Sequence, residues 1–487
     1  MWTTRPTARS AIRRSSGELL SGAVLSFGAL LIVASAAGAP AAPAAAKAAQ
    51  AQPKAEDCLG CHADKGLTRG APVKGKPPSL FVDEALLKGS AHARLECVAC
   101  HKTATAPHDE RLPAVSCAGC HDKQRAVLGG GIHGSRRAQA GSRPPTCAAC
   151  HGTHDVKPAG SLSTQTCADC HAKQVELYRA SVHGRSRQRG DLEAATCSSC
   201  HGASHTAVAK SDPESPVYHL NLPRTCAQCH ADPELAKRHG IQVGAVYQQY
   251  MDSIHGRAVT RSGLLVAANC SDCHGTHEIR ARTDVASRVY RTNIPKTCAT
   301  CHAGVEKEYA ESIHGKAAAR GDSGAPVCTD CHSAHQIRRV EGAPWQLDVI
   351  RECGTCHKES LRTYRDTFHG KVTQLGLTRV AKCSDCHGSH TIQPASDPRS
   401  KVSQASIVST CQQCHPAATA AFAQFHPHAD PHSKARFPFL YYTNVVMMSL
   451  LLGTFAFFGL HTALWLPRSL VERFRRGRGP AERTPEP

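Results

Sequence analysis

The chain has 487 residues, with 58 Lys and Arg against 39 Asp and Glu, a formal charge of +19, and 26 cysteines. A basic excess of that size suggests nucleic acid or an anionic surface. Aromatics are only 5%, however, and no basic run is interleaved with stacking rings, which excludes a nucleic-acid binder.

The N-terminus carries Arg5, Arg9, Arg13 and Arg14, then an apolar run from Leu19 to Val33 and small residues at Ala34-Ser35-Ala36 that suit an export peptidase. Residues 1–36 read as a Sec signal peptide, with an uncleaved anchor as the alternative, because Arg13-Arg14 makes a poor twin-arginine motif. An Ala/Pro-rich linker follows over 37–56.

From 57 to 435 the chain spells Cys-x-x-Cys-His thirteen times and uses every cysteine. The pairs are Cys58 with Cys61, Cys97 with Cys100, Cys117 with Cys120, Cys147 with Cys150, Cys167 with Cys170, Cys197 with Cys200, and Cys226 with Cys229. Six more follow: Cys270 with Cys273, Cys298 with Cys301, Cys328 with Cys331, Cys353 with Cys356, Cys383 with Cys386, and Cys411 with Cys414. The histidines that come next are His62, His101, His121, His151, His171, His201, His230, His274, His302, His332, His357, His387 and His415. This is the c-type haem signature: two thiols bond the vinyl groups and the adjacent histidine reaches the iron. Chance placement of all thirteen histidines has odds of about 10⁻¹⁵. Zinc knuckles need no histidine at that position, so they do not explain the pattern. The expected cofactors are thirteen covalent haems, numbered here as sites 1 to 13 in chain order. No cysteine is left for a disulfide or an iron–sulfur cluster. A ferric bis-ligated haem carries about −1 with its propionates, so thirteen offset most of the basic excess. About 29 residues per haem cannot close an apolar core around each one, so the porphyrin faces must be the core.

The remaining histidines recur in register. Short helical stretches end in Tyr-x-x-Ser/Thr-x-His-Gly at Tyr178–His183, Tyr250–His255, Tyr309–His314 and Tyr364–His369, and His133 is a copy without the tyrosine. A second kind of motif carries a histidine after two or three intervening residues, at His154, His205, His277, His335 and His390. His92 and His108 belong to a degenerate first unit, and His426 is favoured over His428 and His432 to close the last half unit. The expected distal ligands are therefore His92, His108, His133, His154, His183, His205, His255, His277, His314, His335, His369, His390 and His426. One methionine, Met251, lies in this region, so the irons are expected to be bis-histidine and low in potential. Units of 50 to 70 residues with two haems each predict an elongated array of dihaem repeats, mainly α with extensive irregular loops. The repeated tyrosines are expected to pack on porphyrin. His219 and His239 fall outside the repeat and read as surface residues or substitute ligands.

Between Arg436 and Arg468 no charged residue occurs. Residues 437–467 read as one C-terminal transmembrane helix with Tyr441, Tyr442 and Trp465 at its interfaces. The basic tail, 468–487, is then cytoplasmic and the haem domain periplasmic. His461 on that helix is expected either to join a b-haem or quinone site of a partner or to bond a neighbouring helix.

The paired motifs, the Tyr-x-x-Ser-x-His-Gly helices and the Cys-His-Gly-x-His loops resemble the bacterial multihaem cytochrome c family with doubled Cys-x-x-Cys-His motifs, cytochrome c3-like proteins. The haem-bearing parts of the hydroxylamine-oxidoreductase and tetrathionate-reductase lineage are similar. The stretch from His426-Pro427-His428 to Trp465 resembles the join between periplasmic multihaem modules and membrane cytochrome b subunits. The resemblance implies an electron-transfer wire in anaerobic respiration, with a quinol-oxidising or b-type membrane partner and periplasmic or outer-membrane cytochromes as acceptors. The alternative is a terminal reductase of nitrite, hydroxylamine or sulfur oxyanions, which needs one open iron. A nanowire filament is disfavoured by the membrane helix.

Overall fold

The computed structural model describes residues 52–69, 79–108, 112–134, 144–158, 160, 162–241 and 245–477. The signal peptide, most of the linker and the last ten residues of the tail lie outside them. Among the described residues there are 22 α-helices, three short 3-10 helices and no strand, beyond one isolated bridge between Thr68 and Ser79. The mainly-α expectation is what the chain shows.

Little of this fold is held by apolar packing. The main buried cluster is Ala318, Ala325 and Val327, with Ile294, Tyr309 and Ala317 against it. Burying side chains so few and so small stabilises by only a few kcal/mol, far less than the entropy of ordering such a chain.

Two local designs alternate. In the first, a helix runs through the motif, breaks at the proximal histidine and restarts. His171 (φ −115°, ψ 41°) does this inside Thr164–Ala180, His302 (φ −107°, ψ 43°) inside Ile294–Glu311, and His357 (φ −92°, ψ 55°) between Ala343–Cys356 and Lys358–Asp366. The restarted helix ends at the repeated tyrosine, and a Ser or Thr caps the next helix. Ser312 is typical: its hydroxyl donates to the Tyr309 carbonyl (2.6 Å) and accepts from the Gly315 amide (3.0 Å). Ser181, Ser253 and Thr367 repeat this arrangement. The distal histidine is the second residue of the capped helix, and the glycine after it is there for space. A Cβ on Gly184, Gly256, Gly315 or Gly370 would overlap the tyrosine carbonyl.

In the second design the motif is a five-residue helix, as in Cys147–His151, Cys197–His201, Cys270–His274, Cys328–His332 and Cys383–His387. The residue after the proximal histidine turns the chain at positive φ: Gly152 (81°), Gly202 (79°), Gly275 (86°) and Gly388 (82°). In the fourth of these repeats Ser333 holds that position at φ 62°, ψ 172°, a region that suits glycine alone.

Neighbouring repeats are joined by one recurring backbone hydrogen bond. The residue before an upstream distal histidine donates to the carbonyl two residues past a distal histidine of the next repeat. These links are Ala91 to Val156 (2.8 Å), Ile132 to Ala207 (2.7 Å), Val182 to Ile279 (2.8 Å), Ile254 to Ile337 (2.8 Å) and Ile313 to Ile392 (2.9 Å).

The last helix is Pro438–Arg476, 39 residues, and it is long and apolar enough to cross a membrane. It continues past the expected end at 467. Pro467 lies within it, and an Arg468–Glu472 pair (3.3 Å) one turn on supports the extension.

Two substitutions test this account by thermal unfolding of the haem-loaded protein. Ser333→Gly removes backbone strain and should stabilise by about 1 kcal/mol. Gly315→Ala should destabilise by about 2 kcal/mol or more, because the tyrosine carbonyl has nowhere to go.

Candidate functional site

Each proximal histidine faces a second imidazole. In site order the pairs are His62–His108 (6.0 Å between ring centres), His101–His154 (6.3 Å), His121–His92 (5.8 Å), His151–His205 (5.9 Å), His171–His133 (6.3 Å), His201–His277 (6.1 Å) and His230–His183 (6.2 Å). The series continues with His274–His335 (6.1 Å), His302–His255 (6.2 Å), His332–His390 (6.1 Å), His357–His314 (6.1 Å), His387–His428 (6.3 Å) and His415–His369 (6.0 Å).

The separations span only 5.8 to 6.3 Å while the angles between ring planes run from 7° to 64°. Rings that packed on each other would change separation with tilt. A fixed gap at variable tilt is what one intervening atom imposes. Two metal–imidazole bonds of about 2.0–2.1 Å, with about 1.1 Å from each nitrogen to its ring centre, give about 6.3 Å. The residues therefore fit an iron between each pair. Burial lowers the pKa of many of these rings, among them His183, His201, His230, His332 and His335, and brings His274 down to about 4, with His335 the next cause there. That keeps them in the neutral form that ligates metal. His62 also donates from Nδ1 to the Leu80 carbonyl (2.8 Å), which leaves Nε2 for the metal.

The partner ring always comes from elsewhere in the chain, and from site 2 onward its direction alternates. Sites 3, 5, 7, 9, 11 and 13 face a histidine upstream; sites 2, 4, 6, 8, 10 and 12 face one downstream. Site 1 also faces downstream, to His108. The irregular His92 and His108 are both placed opposite proximal rings. The thirteenth position differs from expectation. His426 lies beside Phe437 (6.3 Å), and His428 stands opposite His387. The reason is local: Thr363 Oγ1 hydrogen-bonds His428 Nδ1 (2.9 Å), and Arg362 holds Asp430 (2.6 Å), which together set this segment. No motif follows that segment, so spacing offered no signal for it.

The cysteines form no disulfide among the described residues. First cysteines approach one another in six pairs. Burial and then the neighbouring thiol raise Cys58 beside Cys97, Cys117 beside Cys147, and Cys197 beside Cys167. A hydrogen bond to the neighbour and then burial raise Cys226 beside Cys270, Cys298 beside Cys328, and Cys353 beside Cys383. Second cysteines bridge these pairs: Cys150 is raised by burial and then by Cys167, Cys200 by Cys226, Cys273 by Cys298 and Cys331 by Cys353. Burial and Asp385 raise Cys386, with Cys411 next, and Cys100 contributes at Cys117. Consecutive attachment sites are thus neighbours all the way from 1 to 13.

The remaining second cysteines differ in setting. Cys61, Cys120, Cys170, Cys301, Cys356 and Cys414 are exposed, and Cys229 is half-buried. Cys170, Cys229, Cys301, Cys356 and Cys414 lie near the second cysteine of the preceding site and add to the rise at Cys150, Cys200, Cys273, Cys331 and Cys386. Cys61 is held by the helix Ala55–His62. Cys120 instead follows a 3-10 turn, Cys117–Gly119, and its amide donates to the Cys117 carbonyl (3.2 Å).

The repeated tyrosines have a role that spacing did not disclose. Their hydroxyls donate to the carbonyl two residues before the next motif: Tyr178 to Ala195 (2.8 Å), Tyr250 to Ala268 (3.0 Å), Tyr309 to Pro326 (2.8 Å) and Tyr364 to Ala381 (3.0 Å). Burial, and then a nearby thiol, push Tyr309 up to about 12, so it stays a donor. His219 does a related job, bonding the Ala267 carbonyl (2.8 Å) just as Arg291 bonds Ala325 (2.7 Å) one repeat later. His239 sits between Asp191 (3.5 Å) and Glu193 (3.0 Å), and His461 is exposed on the last helix.

Known proteins point the same way. The cytochrome c3 family model matches residues 90–172. The cytochrome c-type protein NrfB of Escherichia coli O6:H1 is 29% identical over 145 residues, 27% of this chain and 71% of that protein. No solved structure matches the chain.

Replacing His428 by Ala should open one site, giving a high-spin EPR signal and carbon monoxide binding. Replacing His426 by Ala should leave the spectrum unchanged.

Proposed function

We propose that this chain, a multihaem c-type cytochrome, holds thirteen covalent bis-histidine haems and works as a membrane-anchored electron-transfer wire. Bound haem supplies one-electron Fe(III)/Fe(II) chemistry at each site. The chain's own residues do the rest. The 26 cysteines fix each porphyrin edge, and because consecutive cysteine pairs adjoin, they hold consecutive cofactors as neighbours. The thirteen proximal histidines would each hold an iron from one side of the ring pair. His92, His108, His133, His154, His183, His205, His255, His277, His314, His335, His369, His390 and His428 would supply the facing imidazole, with His428 in the place that spacing assigns to His426. Tyrosine clamps and Ser or Thr caps set the spacing between an attachment site and the distal ring beside it.

The observation that carries this reading is the uniform gap of 5.8 to 6.3 Å between all thirteen ring pairs. With two imidazoles to hold each iron, the bound group would offer no place for nitrite, hydroxylamine or a sulfur oxyanion. No observation favours the reductase alternative. Two histidines and no methionine at each iron imply low potentials, suited to anaerobic respiration.

The helix Pro438–Arg476 supports anchoring in the inner membrane, with Arg473, Arg475 and Arg476 at its cytoplasmic end and the haem domain in the periplasm. Electrons then pass between a membrane quinol-oxidising or b-type partner and periplasmic or outer-membrane cytochromes.

Mass spectrometry of the intact mature protein should show thirteen haem additions. EPR and magnetic circular dichroism of the oxidised protein should show low-spin haem alone. A high-spin component that binds nitrite in the wild-type protein would replace the wire with the enzyme.

A further inference from the structure

Five residues that each precede an upstream distal histidine donate a backbone hydrogen bond to the next repeat: Ala91, Ile132, Val182, Ile254 and Ile313. Phe368, before His369, is the sixth of the series, and its amide has no backbone acceptor among the described residues. The carbonyl position that would serve it belongs to Asp430, two residues past His428, but there the chain is set by the ion pair to Arg362 (2.6 Å). The Phe368 side chain is 78% exposed, against 38% for Ile254 and 42% for Ile313 in the same position. Leu375 (86%) and Phe425 (67%) are exposed as well. Phe422 rests on His415 (5.2 Å), the ring that faces His369. The segments that carry site 13 therefore expose apolar side chains and an open backbone donor where every earlier repeat is met by its neighbour.

The position of this exposed face says what covers it. From Phe425 to the start of the last helix at Pro438 there are thirteen residues, which reach at most about 45 Å when fully extended. A face held that close to a bilayer meets membrane proteins at high effective concentration. A lipid surface would cover apolar side chains but offers no acceptor fixed in register with them.

We propose that Phe368, Leu375 and Phe425 form the docking face for an integral membrane electron-transfer protein, whose extramembrane loop brings a carbonyl to the Phe368 amide. Site 13 is then where one electron at a time crosses between the chains, the partner being oxidised as site 13 is reduced, with quinol as the source. This rests on the reading of the chain as an anchored electron carrier.

The test uses the full-length, haem-loaded protein added to membrane vesicles from a deletion strain of the source organism, with duroquinol as reductant. The initial rate of haem reduction should fall about tenfold or more in the double variant Phe368→Asp, Phe425→Asp, and less in Phe368→Ala. Leu192→Asp, at an equally exposed leucine (83%) in a distant repeat, should match the wild type. Phe368→p-benzoylphenylalanine should photo-crosslink to a membrane protein whose removal abolishes quinol-driven reduction. A wild-type rate in the double variant, an equal loss in Leu192→Asp, or crosslinks to lipid or to a second copy alone would overturn the docking face. Dithionite separates the two ideas. If it fails to reduce the wild-type haems, the carrier reading is at fault; if it reduces every variant fully, a negative result falls on docking alone.

Discussion

Everything in this molecule depends on a pair of imidazole rings kept at one separation, with the two rings drawn from distant parts of the chain. In the proposed haem-loaded protein a coordinate bond to each ring would be directional and strong, and it would not need the surrounding side chains to be large. That would account for a fold whose described residues have a protein-only core of a few alanines and valines. On the proposed ligation, cofactor binding and folding would be one event, because the metal would hold the rings apart.

The hydrogen-bond pattern serves the same end. The Ser or Thr cap, the close glycine and the tyrosine clamp all act within a turn or two of a distal histidine. They convert a helix end, with its unsatisfied amides, into a rigid mount for one ring. The link from Ile254 to Ile337, and its four equivalents, then aligns that mount with the next repeat. Packing contributes little, so these few polar contacts carry most of the positional information.

How much of this could be read from residues alone varies with the kind of interaction. Attachment cysteines and proximal histidines are local in sequence, so their identity is plain from spacing. The distal rings are recognisable because the repeat places each in register with a motif. Which ring faces which is not readable, since the pairing runs between repeats and reverses direction at every site after the second. The closing segment shows the limit: His426 and His428 are candidates two residues apart, and a side-chain contact with Thr363, 65 residues from His428, decides between them. The tyrosines were visible as a pattern, but the acceptor of each hydroxyl is a backbone carbonyl that carries no sequence signature. His219 and Arg291 make the same point from the other side. Unlike residues at aligned positions reach equivalent carbonyls.

The alternating direction of the ring pairs has a consequence for assembly. A chain that emerges into a new compartment N-terminus first has the upstream ring already at hand when an odd-numbered motif after the first arrives. Even-numbered motifs must wait for a ring 41 to 76 residues further on, as between His387 and His428 or His201 and His277. At any moment the growing end of the protein therefore carries an unfinished centre that only the next repeat completes. Length is built in one direction, and the final closure falls to the short segment before the last helix.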